Sequence, residues 1–198
     1  MLPNISLVIF AYFCGSVSSA VVICKLMRLD DPRLHGSNNP GATNVLRLHG
    51  KKAALLTLAG DMLKGLFPVL IAHAFNAPES TIALSAFAAF CGHLFPVFFG
   101  FHGGKGVSTL TGVLIGMYWV LGLAFVITWL AVAGLFRYSS LAGLLAAAAT
   151  PFYAFLLYPS SPYITAISCM VVLLFWRHRS NIRNLMAGKE DKIGIGKI

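Results

Sequence analysis

Charge is scarce in this chain. Only 11% of its 198 residues are Asp, Glu, Lys or Arg, against roughly 25% in a soluble domain. Acids are scarcest, with 6 Asp+Glu against 15 Lys+Arg. This shortage, beside 58% hydrophobic residues and a mean hydropathy of +0.79, excludes an ordinary soluble domain and a disordered chain alike. A lipid phosphotransferase that gathers several aspartates around metal ions is excluded too, because the only Asp are Asp30, Asp31, Asp61 and Asp191. Cys14, Cys24, Cys91 and Cys169 lie in apolar stretches without a CxxC pair, so neither a disulfide framework nor a thiolate metal site is expected. No basic run is interleaved with aromatics in a polar setting, which argues against nucleic acid. Residues 1–24 carry no charge, and Lys25 and Arg28 follow them. That order reads as a signal-anchor with the N-terminus outside, not a cleavable leader.

Long apolar runs are what the chain has. Six blocks stand out, at about 5–27, 53–75, 81–99, 107–136, 141–156 and 163–176. No repeat or linker divides them, so 1–198 reads as one transmembrane domain. The block 107–136 is too long for one straight crossing, at about 45 Å against a ~30 Å hydrocarbon core. Charge decides how it folds. With the N-terminus outside, a single crossing there leaves Arg137 and the basic tail (Arg177, Arg179, Arg183, Lys189, Lys192, Lys197) outside. Two crossings bring every basic residue except Lys64 inside, which the positive-inside bias favours. The expectation is an all-α integral membrane protein of about seven helices, with a turn near Gly116–Trp119 and a cytoplasmic C-terminus. The polar motif loops, rich in Gly and Asn, then all fall on the cytoplasmic side.

Three polar clusters on those loops carry the chemistry. The first, His35 to Arg47, packs Gly36, Ser37, Asn38, Asn39, Gly41, Thr43 and Asn44 around Pro40. Gly and Asn tolerate positive φ, so successive N–H groups can form an anion nest, to which Arg47 adds a bidentate fork. The second, Phe101 to Thr109, sets Gly103, Gly104, Lys105 and Gly106 before a helix start, another anion-favouring arrangement. It is not a Walker A loop, because Gly106 follows Lys105 where Ser or Thr is needed. In the third, His178 and Asn181 share a face if helical, while Arg177, Arg179 and Arg183 are explained by topology alone. Within the spans, Asp61 and Lys64 are i, i+3 partners, either functional or mutually neutralised. His93 reads as a core histidine.

Together these runs resemble the bacterial acyl-phosphate:glycerol-3-phosphate acyltransferase family. The matching stretches are Gly15-Ser16-Val17, GSNNPGATNVLR at 36–47, DMLKG at 61–65, GHLFPVFFGFHGGKGVST at 92–109 and HRSNIRNLMAGKE at 178–190. Three positions depart from the family pattern: the first helix lacks a usual proline, Asn38 replaces a frequent Gly, and His102 replaces a common Lys. The resemblance implies acyl transfer from acyl phosphate to the 1-hydroxyl of glycerol 3-phosphate, giving lysophosphatidic acid and phosphate at the bacterial inner membrane. It implies that Ser37, Arg47, Lys105, His178 and Asn181 are catalytic. Gly36, Asn39, Gly41, Thr43, Asn44, Gly103, Gly104 and Gly106 are expected to bind substrate, with no metal or cofactor. A carrier of an organic phosphate is the rival class. It would place its site near the bilayer midplane, often between inverted repeats. The soluble acyltransferase signature, His followed by four residues and Asp, fits none of the six histidines.

Overall fold

The computed structural model describes residues 2–193, with side chains from residue 4 onward. Lys197, counted above in the basic tail, lies outside them. The regular structure of the described residues is all helical, with no strand among them. In chain order the helices are α1 (Leu2–Gly15), α2 (Ser19–Leu26), α3 (Ala42–His49), α4 (Lys51–Ala74), α5 (Glu79–Leu94), α6 (Val107–Met117), α7 (Trp119–Phe136), α8 (Ser139–Leu157), α9 (Ser161–Arg177) and α10 (Arg179–Met186). A short 3₁₀ turn, Val97–Phe99, follows α5.

The helices α4, α5 with its 3₁₀ extension, α7 and α8 are each long and apolar enough to cross a membrane. The pair α1–α2 makes a fifth candidate, bent by 46°. The first apolar block is therefore broken into two helices. Its break falls at Ser16-Val17-Ser18, and the freed carbonyl of Val17 accepts a 2.8 Å hydrogen bond from Lys64 Nζ on α4. In a bilayer an unpaired carbonyl is costly, so this ammonium has a structural task. Lys64 in turn lies 2.8 Å from Asp61 Oδ1, one turn earlier on the same helix.

The break expected near Gly116–Trp119 is present. Helix α6 stops at Met117, Tyr118 is extended (φ −158°, ψ 109°), and α7 starts at Trp119. Gly122 of α7 leaves room for the backbone and side chain of Ile115, so the two helices pack closely. With 11 residues, α6 is only about 16 Å long. It is almost wholly buried between α4 and α7, and α9 is 17 residues. The core gathers on α5, α6 and α9 around Phe90, Leu94, Leu110, Leu114, Ile167, Met170 and Leu174. Outward, α7 exposes Leu123, Ile127, Leu130 and Leu135, a surface suited to lipid and not to water.

Two short helices lie outside the spans. The segment 28–52 reads from sequence as a loop, yet it contains α3. Gly41 is the N-cap of that helix. Helix α10 follows α9 directly, with His178 at the junction.

Candidate active site

One cavity of about 650 Å³ joins all three polar clusters. All five residues expected to be catalytic, Ser37, Arg47, Lys105, His178 and Asn181, line it. Asn39, Gly41, Thr43, Asn44 and Gly106 line it as well, whereas Gly36, Gly103 and Gly104 do not. Helix α3 begins at the cavity through Gly41 to Thr43, α6 through Gly106 to Ser108, and α8 through Ser139 and Ser140. A helix start presents unpaired N–H groups and a partial positive charge. Three such starts beside Arg47, Lys51 and Lys105 make an anion cradle. Deeper in, Leu55, Leu58 and Met62 of α4 face Phe125, Val126, Trp129 and Leu130 of α7. The cavity thus runs from a cationic mouth into an apolar groove.

The first loop is organised by Asn44, which is buried. Its Oδ1 accepts the Ser37 N–H at 3.0 Å, and its Nδ2 donates to the carbonyls of Pro32 (2.8 Å) and His35 (3.1 Å). Asn44 therefore holds the loop with the groups that were expected to meet substrate. Gly36 serves this packing too, since a Cβ there would run into Asn44 Oδ1. Asn38, standing where the resembled family often has Gly, has φ +55°, a left-handed geometry that Asn tolerates. Arg47 lies on the last turn of α3, with Nη1 3.2 Å from Asp191 Oδ2.

The glycines of the second loop are also required by packing. Gly104 lies flat on the His93 imidazole, and Gly103 lies on the carbonyls of His93 and Leu94 at the end of α5. Gly106 has φ +93° and packs on the Phe90 ring, so it needs both the missing Cβ and the left-handed backbone. From the other side Arg177 donates to Gly103 O at 2.6 Å and to Gly104 O at 3.1 Å. The Gly103–Gly104 backbone is pressed on α5, while Lys105 and Gly106 reach the cavity. Lys105 Nζ donates to Asn181 Oδ1 at 2.6 Å. Burial lowers the Lys105 pKa from its usual value; nearby Glu190 counters this, while Arg177 and Arg47 add to it.

His178 is buried at the α9–α10 junction. Its Nδ1 lies 2.8 Å from Leu174 O. A carbonyl only accepts, so Nδ1 carries the proton and Nε2 keeps its lone pair. Burial pulls its pKa down to about 4, a fall that the backbone hydrogen bond only partly offsets. The imidazole is therefore neutral near pH 7.

Sequence reasoning assigned no role to Glu190, Asp191, Ser139 and Ser140. Glu190 Oε1 accepts from Asn181 Nδ2 at 2.7 Å and from Ser140 Oγ at 2.6 Å. Thr43 Oγ1 and Ser139 Oγ are 3.2 Å apart and share a hydrogen bond. The Ser-Ser pair opening an apolar block was a usable signal; a carboxylate in a basic tail was not. Asp61 and His93 also line the cavity. Among the described residues no group of His, Cys, Asp or Glu is arranged to hold a metal ion.

Fold and cavity are those of a helical protein with several apolar, membrane-length helices and one cavity that joins a cationic mouth to an apolar groove. The glycerol-3-phosphate acyltransferase family model matches residues 5–188. The glycerol-3-phosphate acyltransferase of Thioalkalivibrio sulfidiphilus is 54% identical over 194 residues, covering 98% of this chain and 96% of its own. That of Methylococcus capsulatus is 51% identical, with 97% of each chain covered. A crystal structure of PlsY (YgiH), an integral membrane glycerol 3-phosphate acyltransferase, in its glycerol 3-phosphate form superposes with a TM-score of 0.92 at 38% identity, covering 97% of this chain and 96% of that one. The lysophosphatidic acid form gives 0.90 at 37% identity, with the same coverage. The chain belongs to the glycerol-3-phosphate acyltransferase family.

Proposed function

We propose that the donor is acyl phosphate and that the reaction runs in the cavity on the cytoplasmic face of the bacterial inner membrane. The carrying observation is the continuity of the cationic mouth with the apolar groove between α4 and α7. Both substrates bring phosphate to the mouth, and one brings a chain to the groove. The acyl chain lies along Leu55, Leu58, Phe125 and Leu130. The 1-hydroxyl oxygen of glycerol 3-phosphate attacks the acyl carbonyl carbon, the bond from that carbon to the phosphate oxygen breaks, and inorganic phosphate leaves. Acyl phosphate is already activated, so no covalent acyl-enzyme is required. Positioning and charge stabilisation by Arg47, Lys105 and the three helix starts supply the catalysis. With a pKa of about 4, His178 is a weaker base than the departing inorganic phosphate, which is more basic than a phosphate monoester with its second pKa of about 6. Nε2 therefore orients the hydroxyl by accepting its hydrogen bond, and the proton ends on phosphate. Ser37 and Asn181 complete the contacts to the phosphates. Lysophosphatidic acid leaves into the bilayer.

This reading includes seven crossings: α1 with α2, then α4 to α9 in turn. It is supported by the Ile193 N–H donating to Arg137 O at 2.6 Å, which puts the segment after α7 beside the tail after α10. Purified protein in lipid, given acyl phosphate and labelled glycerol 3-phosphate, should form labelled lysophosphatidic acid. Acyl-CoA in place of acyl phosphate should give less than about a hundredth of that rate, the effect of losing roughly 3 kcal/mol of transition-state stabilisation. Equal turnover with acyl-CoA would refute the donor assignment.

A further inference from the structure

We infer that His93, braced by Asp61, is a positioning residue for Lys105, and that Gly104 is glycine to seat on it. The inference rests on the site proposed above. Asp61 and His93 are both buried and come from neighbouring helices, α4 and α5. His93 Nδ1 lies 3.6 Å from Asp61 Oδ1, and that same oxygen is 2.8 Å from Lys64 Nζ. Lys64 is in turn anchored on the Val17 carbonyl at 2.8 Å. The imidazole is thus backed by a chain of charge contacts that ends on the break after α1, although neither His93 Nδ1 nor Asp61 Oδ1 makes a hydrogen bond.

Above the ring, a Cβ on Gly104 would run into Nε2 and Cε1, and the Gly104 N–H donates to the His93 carbonyl at 3.2 Å. Lys105 is the next residue. Its ammonium must reach Asn181 Oδ1 at 2.6 Å, and it leaves from a backbone whose height is set by the ring beneath. Arg177 presses the same two peptides from the opposite side through the Gly103 and Gly104 carbonyls. The loop is held as in a vice, with His93 as the fixed jaw. A ligand 1 Å out of place can lose about a hundredfold in rate, so the height of this jaw governs kcat.

The test is a complementary exchange of volume, read by steady-state kinetics in lipid with each substrate varied. His93→Asn keeps an amide near Nδ1 to meet Asp61 but removes the ring from under Gly104. Gly104→Ala adds the methyl group that the ring excludes. Each single variant should lower kcat by about tenfold or more, with both Michaelis constants within about threefold of wild type. The double variant should exceed Gly104→Ala in kcat by about fivefold, a coupling expected only of groups in contact. His93→Gln, which places an amide near Nε2, is the second variant. It should stay closer to wild type than His93→Asn and should not rescue Gly104→Ala. Independently of turnover, the rate at which an activated ester acylates Lys105 Nζ, with loss of its leaving alcohol, followed against pH, should show a changed midpoint in His93→Asn. Effects of the two substitutions that simply multiply, or wild-type kcat in His93→Asn, would overturn the inference. Lys105→Met separates the two layers. If it is inactive while the exchange shows no coupling, only the positioning role fails. If it retains wild-type kcat, the site assignment fails.

Discussion

At the residue scale the cavity mouth balances opposite charges. Arg47 and Lys105 sit beside Asp191 and Glu190, each pair tied to a different loop. The Arg47–Asp191 pair is largely exposed, with side-chain accessibilities of 35% and 72%, so it contributes at most about 1 kcal/mol and yields easily to a substrate phosphate. Glu190 is more consequential, because its charge raises the Lys105 pKa against the effect of burial. Glu190→Gln removes that support. Lys105 then loses its proton at a lower pH, and the alkaline limb of kcat/KM for glycerol 3-phosphate should move to lower pH. Comparing the two pH profiles checks the sign; an unmoved or raised alkaline limb contradicts it. His178 shows why side-chain roles were only partly readable from sequence. The His/Asn spacing marked a shared face, but the tautomer and the low pKa depend on Leu174 O and on burial, which no spacing encodes.

At the scale of elements, close helix packing depends on missing side chains. Gly112 of α6 faces the Met62 carbonyl of α4, where a Cβ has no room. Gly134 of α7 has nothing within 4 Å of a built Cβ. Alanine in place of glycine gains up to about 1 kcal/mol inside a helix, while forcing an extra methyl group into packed backbone costs about 1–3 kcal/mol. Gly112→Ala should therefore lower the Tm in detergent by several degrees, and Gly134→Ala should hold or raise it. Equal shifts in the two would show that the α4–α6 contact is not the cause. The apolar blocks and the Tyr118 turn were legible because bilayer thickness limits how long a crossing can be. Helix α3 was not, because eight residues rich in polar side chains and preceded by Pro-Gly read as loop. The break after Gly15 was also hidden, since Gly-Ser-Val-Ser-Ser contains no proline, and its stability comes from Lys64, which is 47 residues away.

At the scale of the whole molecule, the proposed pair of crossings within 107–136 would put the segment around Arg137 on the same side as the site. Cysteine labelling from outside, in a chain with Cys14, Cys24, Cys91 and Cys169 replaced, checks this. Ser80→Cys should react in intact cells, and Arg137→Cys should react only after permeabilisation. Outside labelling at 137 would exclude seven crossings. The glycine-rich loops were findable from sequence because few residues besides glycine and asparagine serve nests and close approaches. Their surroundings were not, since the partners of the second loop lie on α5 and α9.

The anion cradle draws its parts from residues 37–47, 105–108, 139–140 and 178–191, and these lie between the apolar helices, at their starts or after the last of them. During synthesis the first loop therefore emerges long before the groups that answer it. Until α9 has entered the bilayer, Lys105 has no Asn181 to meet, and the Gly103–Gly104 carbonyls have no Arg177. Early in insertion the nascent chain holds a cation-lined furrow that can attract phosphate without the geometry to use it. In the proposed site, catalytic competence thus arrives in one late step, when α9 and α10 close the ring of loops.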